Sequence, residues 1–197
     1  MARILLSCLL FSMSFTILGA QNQYTVEVGA FQDVKQSDFA DLLAFGFVYG
    51  NKVADNVHQV YLGTYDDLPK AEALATQLKA RGFNNARVLQ RPAGQNVLMI
   101  QLATKVVGTP LNYVELQKVG NIFIEQTAER LKIMTGSFQD ANAAQVALGP
   151  IRQLGYKDAF IKSIDFNRLM PVTAFETGIK APLIPINLSN QPAVPSP

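Results

Sequence analysis

The chain has 197 residues, 49% of them hydrophobic, with a formal net charge of +2 and one cysteine. That much apolar material can fill one core or two small ones. The near-neutral balance argues against nucleic acid as a partner, because a basic patch is needed to neutralise phosphates, and against a polybasic membrane anchor.

Residues 1–20, MARILLSCLLFSMSFTILGA, combine an early Arg3, an apolar run from Ile4 to Leu18, and the small residues Gly19 and Ala20. This is the pattern of a secretory signal peptide. The run is close to the lower limit for a membrane span, so an uncleaved anchor is the alternative. Cleavage leaves no stable membrane insertion. It also removes Cys8, the sole cysteine, so the mature fold does not depend on disulfides.

Residues 24–31, YTVEVGAF, alternate Val26 and Val28 against Thr25 and Glu27, the period of a half-buried strand. A short helix is predicted over 37–45, with Phe39, Leu42 and Leu43 at helical spacing, and Gly46 stops it. Strands follow at 47–53 and 58–65, joined by a turn at Ala54, Asp55 and Asn56. In the second of these, Val60 and Leu62 point one way and Gln59 and Tyr61 the other. Asp67 is placed to cap a helix whose first turn tolerates Pro69 and whose stripe is Ala71, Leu74, Ala75 and Leu78. Gly82 ends that helix, and 86–90 is the closing strand.

A linker at 91–95 leads to a second series. Its elements are a strand at 96–104, an irregular stretch with a short helix from Pro110 to Lys118, a strand at 121–126, a turn, and a strand at 130–137. A helix capped by Asp140 and a strand at 158–164 complete it. Pro150, late in this second long helix, removes one backbone hydrogen bond and predicts a kink, since a proline in a straight helix costs on the order of 3 kcal/mol. Beyond Phe166 the prolines exclude a regular helix. The part before 187 is expected to be extended, with packing on the second unit as one option, and 187–197 to be disordered.

The two series are copies of one another. At one constant offset Gly63 meets Gly136, Asp67 meets Asp140, Ala71 meets Ala144, Gly82 meets Gly155 and Ala86 meets Ala159. Val60 and Ile133, Tyr65 and Phe138, and Phe83 and Tyr156 are conservative partners. The expected organisation is a signal peptide at 1–20, one βαββαβ unit at 24–91, a second at 96–165, and a Pro-rich tail at 166–197.

The motifs VEVGAF, VYLGTYDD…KAEALATQLKARGF and IMTGSFQD…LGY resemble the SPOR (sporulation-related repeat) family, as two tandem copies over 24–164. The resemblance implies an α+β fold in which each unit is a four-stranded antiparallel sheet with two helices on one face. It implies non-enzymatic binding of peptidoglycan glycan strands, in particular those stripped of stem peptides, in the periplasm or cell envelope and often at division sites. Ala103, Thr104 and Lys105 depart from the Gly-small-aromatic signature in the second copy. Family members often carry Gln where the glycan docks on the first strand. Gln101 fits that place, whereas Glu27 occupies it in the first copy and cannot donate.

Period two assigns an open, helix-free sheet face to Glu27, Gln59 and Tyr61 in the first unit and to Met99, Gln101, Lys132 and Met134 in the second. A flat polar-aromatic face suits a sugar polymer, since hydroxyls and acetamides need fixed partners and Tyr offers an apolar ring. A plain solvated strand face is the competing reading. An adaptor that binds an envelope protein through a strand edge or the Pro-rich tail is the alternative function.

No enzyme chemistry is legible. His58 is the sole histidine and is expected at a strand start, no Cys/His cluster suits a metal, and Asp66 and Asp67 read as turn and cap. Single glycines make no phosphate cradle. No cofactor is expected.

Overall fold

The computed structural model describes residues 22–178. The signal pattern and the 187–197 stretch lie outside the described residues. β1 (Gln23–Gln32), β2 (Val48–Ala54), β3 (Val57–Tyr65) and β4 (Arg87–Arg91) form an antiparallel sheet in the order β2-β3-β1-β4. A 3₁₀ segment, Gln36–Leu42, joins β1 to β2, and α1 (Leu68–Ala80) joins β3 to β4. The alternation of β1 and β3 decides which side they cover. Val26, Val28, Val60 and Leu62 are fully buried beneath Ala71, Leu74, Ala75 and Leu78 of α1 and beneath Phe39 and Leu42 of the 3₁₀ segment.

The second sheet uses β5 (Asn96–Val106), β6 (Ile122–Thr127), β7 (Arg130–Phe138), β8 (Phe160–Asp165) and β9 (Leu169–Pro171), in the order β8-β5-β7-β6-β9. With β9 set aside, this strand order repeats that of the first sheet. α2 (Tyr113–Leu116) and α3 (Ala141–Gln153) supply its helices. The sheet has five strands, not the expected four, because the chain after β8 turns back through a 3₁₀ turn at Phe166–Arg168 and pairs with β6.

The sequence repeat has a backbone meaning. Gly63 and Gly136 take φ of +57° and +76°. A Cβ on Gly63 would meet the Tyr65 hydroxyl at 2.6 Å, and a Cβ on Gly136 would run into the Phe138 ring. The Gly-x-aromatic signature is therefore a ring folded back over a residue that must lack a side chain. β1 has a register shift between Glu27 and Gly29, and β5 has one between Gln101 and Ala103, where Ala stands in place of Gly.

One local expectation needs correction. Asp67 stands at the N-cap of α1 but makes no side-chain capping bond, whereas Asp140 Oδ1 accepts from the Ala143 N–H at 2.8 Å. α3 runs through Pro150 to Gln153. The carbonyl that loses its partner belongs to Val146, which is 78% exposed, and water can replace the missing donor there.

The stretch after 165 packs on the second unit as an extended strand and then reaches the first. β9 extends the second sheet, and α4 (Ala174–Thr177) lies on the first, between β2 and the Gln36–Leu42 segment. Phe175 is buried in the first core, 6.2 Å from Phe39 and 5.4 Å from His58 by ring centroids. Gly50 makes room for it, and its N–H donates to Glu176 Oε1 at 2.9 Å. The two sheets also meet directly. The Phe47 N–H donates to Gln126 Oε1 (2.8 Å), Thr64 Oγ1 to the Gln126 carbonyl (3.2 Å) and the Tyr113 hydroxyl to Gln36 Oε1 (2.8 Å). Phe47 and Tyr49 of the first half are packed into the core of the second sheet.

Candidate functional site

The helix-free side of the first sheet is built from register. Tyr49 is opposite Tyr61, Tyr61 is opposite Glu27, and Glu27 is opposite Arg87, so four side chains line up in one row across β2, β3, β1 and β4. The tyrosine rings stack, with centroids 5.1 Å apart and an interplanar angle of 22°. Tyr49 is buried and fixed, its hydroxyl sharing a 3.0 Å hydrogen bond with Thr25 Oγ1, which also donates to the Gly63 carbonyl at 2.7 Å. Tyr61 is half-buried and has one side open. Burial raises the Tyr49 phenol above its ordinary value, against the opposing Arg91 charge. Burial also raises Tyr61, with the Glu27 carboxylate acting in the same direction. Both hydroxyls therefore stay neutral and able to donate.

Glu27 is nearly covered, and its carboxylate accepts from Arg87 Nε (3.0 Å) and Nη2 (2.8 Å). It is engaged rather than waiting for a ligand. Gln59 sits one row further along, half-buried, between Asn51 and Ala30.

Beside this row runs a groove of about 330 Å³. Its floor and near wall are Thr25, Tyr49, Asn51, Tyr61, Leu89 and Arg91, and Asn167 and Pro171 stand on the far side. Arg91 is the only charged residue among those that line it. The guanidinium is braced by the Leu169 carbonyl (3.2 Å) and, more weakly, the Tyr49 hydroxyl (3.5 Å). The groove thus offers an aromatic face, amide groups and one cation, a set suited to a ligand rich in hydroxyl and amide groups.

The helix-free side of the second sheet is different. Met99 and Met134 were expected to be open there, and both are completely buried, in a cluster with Ile164 and Leu169. The returning chain lays Leu169 and Arg168 against that side. Lys132 is not free either. It is 3.2 Å from Glu125, a carboxylate that also meets Lys162 at 2.8 Å and Arg168 at 3.5 Å. Glu125 is 3% exposed, and three cations compensate its burial. Gln101 is half-buried and donates from Nε2 to Thr104 Oγ1 at 3.1 Å.

Of the seven residues singled out from the sequence, the first sheet brings Glu27 and Tyr61 together in one row and leaves Gln59 near them. The four on the second sheet do not form a comparable open surface. Sequence reasoning missed Tyr49, Asn51, Thr25, Leu89 and Arg91. Carrying period two through the 47–53 strand would have put Tyr49 and Asn51 on the side of Tyr61. Nothing local points to Arg91, which the sequence places in the linker at 91–95.

Among the described residues no group of three or more His, Cys, Asp or Glu is placed to hold a metal ion, and no helix is long and apolar enough to cross a membrane. The architecture is a mixed α/β scaffold of antiparallel sheets, with helices on one side of the first sheet and a lined groove on the other. A family comparison gives the first sheet an identity: the SPOR domain model matches residues 20–89, so a SPOR domain lies there and includes all of the first sheet but the end of β4. SPOR domains are binding domains rather than catalytic ones. They generally bind peptidoglycan and are linked to cell division. No curated protein matches the chain.

Proposed function

We propose that this chain is a non-enzymatic peptidoglycan-binding protein of the bacterial cell envelope that grips glycan strands in the groove of its first sheet. The observation that carries the reading is the stacked Tyr49–Tyr61 pair, with one ring locked and the other open beside Asn51 and Arg91. A pyranose ring presents an apolar face to Tyr61, while its hydroxyl and acetamide groups pair with the amide and phenol groups around it. The signal pattern of residues 1–20 supports export, and the SPOR match supports a place in the division machinery. The sequence repeat and the repeated strand order support descent of the second sheet from the same ancestral unit. In this reading that second copy has become a scaffold, because its corresponding side holds the methionine cluster and the Glu125 ion pairs.

The test is co-sedimentation of residues 21–197 with purified sacculi, before and after an amidase has removed the stem peptides. The protein should pellet with sacculi, and more so after amidase treatment. Tyr61→Ala removes an aromatic anchor at a half-exposed position. It should weaken binding by about 1–2 kcal/mol, roughly 5- to 30-fold, with little change in melting temperature. No enrichment over a buffer control, or equal retention of the Tyr61→Ala protein, refutes the proposal.

A further inference from the structure

We infer that the groove is a composite site: the segment 165–171 supplies its far wall, and Asn167 contacts the bound sugar from the side opposite Asn51. This rests on the glycan reading above and adds that the region matching the SPOR domain holds only part of the binding surface.

Asn167 and Pro171 line the groove together with Tyr49, Asn51, Tyr61 and Arg91, although far separated from them in sequence. The wall is held in place by bonds reaching across the sheets. Asp165 accepts from the Gly94 N–H (2.9 Å to each carboxylate oxygen) and, through Oδ1, from the Asn167 N–H (2.8 Å). Asn167 Nδ2 donates to the Pro92 carbonyl at 3.1 Å, and Arg91 Nη2 donates to the Leu169 carbonyl. Gly94 is required for this approach, since a Cβ there would sit 2.7 Å from both Asn167 Cγ and Asp165 Oδ1. With its amide nitrogen tied to Pro92, Asn167 keeps its side-chain oxygen as an acceptor.

An acetamido sugar suits two amides standing on opposite walls, because its N–H can donate to one and its carbonyl can accept from the other. A sugar without the acetamide leaves one wall unpaired. The glycan of the proposed function is therefore held between two walls rather than lying on a flat sheet.

The test is an NMR titration of ¹⁵N-labelled residues 21–197 with soluble glycan fragments released from amidase-treated sacculi. The side-chain amide signals of Asn51 and Asn167 should shift along one isotherm. Asn167→Ala should weaken binding by about three- to tenfold, the loss of one hydrogen bond. Gly94→Ala, which displaces the wall without touching the sugar, should do likewise, and both proteins should keep the wild-type shift pattern in the β2 and β3 amides. If Asn51 shifts and Asn167 does not, or if both variants bind as tightly as the parent, the composite site is refuted while glycan binding stands. If neither amide shifts and the unaltered protein fails to pellet with sacculi, both readings are refuted.

Discussion

The fit of Phe175 over Gly50 can be tested by a double-mutant cycle. A Cβ on Gly50 would lie 2.6, 2.8 and 2.9 Å from ring atoms of Phe175, so Gly50→Ala forces either the ring or the whole of α4 outward. Overpacking of this kind costs about 1–3 kcal/mol. Phe175→Ala removes a side chain that is 2% exposed in the first core, at a cost of about 3–5 kcal/mol. For a chain of this size that corresponds to a fall in melting temperature of roughly 6–20 °C. Once the ring is gone, the alanine at position 50 has nothing to collide with. The double variant should thus be no less stable than Phe175→Ala alone, with a coupling of at least about 1 kcal/mol. The prediction holds even if Gly50→Ala dislodges α4 entirely, because Phe175→Ala has then already removed what is lost. Urea denaturation followed by far-UV circular dichroism suits a chain without tryptophan. Additive losses, within about 0.5 kcal/mol, would mean that the glycine and the ring do not meet, and the docking of α4 described above would be wrong.

Two further predictions concern the same segment and the second sheet. Burial raises the Glu176 carboxyl above its ordinary value of 4.5, against opposing hydrogen bonds from Thr173 and Gly50. A carboxyl raised in the folded state binds its proton more tightly there than in the unfolded chain. Its stabilising contribution is therefore complete below pH 4.5 and is lost as the pH rises through the folded value. The stability of the wild type relative to Glu176→Gln should accordingly increase as the pH falls from neutral toward 4.5 in urea titrations; a constant difference would contradict the burial of an ionisable Glu176. Gln101→Ala should leave sacculus retention within about twofold of wild type, a change too small for the loss of a hydrogen bond. A drop as large as that for Tyr61→Ala would return the second sheet to the binding surface.

What was legible in the sequence was set by local rules. Alternation in 58–65 separated Val60 and Leu62, both wholly buried, from the half-buried Gln59 and Tyr61. Gly63 and Gly136 marked the matching positions of the two series, Gly82 the end of α1, and Asp140 a true cap. Alternation says which residues share a side of a sheet, but not what covers that side. Met99 and Met134 share theirs with Gln101 and Lys132 as expected, yet Leu169, many residues further on, closes over the methionines. Met170 and Val172 at period two, with Leu169 on the opposite side and Phe175 following, were the available signal. Arg91 was likewise illegible, because its place in the groove depends on the Leu169 carbonyl, which only the returning chain brings within reach.

The position of Glu176 has a consequence for association between molecules. β2 is the outermost strand of its sheet, and its outward N–H groups are a template on which a strand from another chain can grow. The carboxylate of Glu176 occupies one of those donors at Gly50, and α4 stands where an incoming strand would have to lie. The chain's own later residues thus work as a doorstop: α4 is the piece that keeps the first sheet from zipping onto another copy.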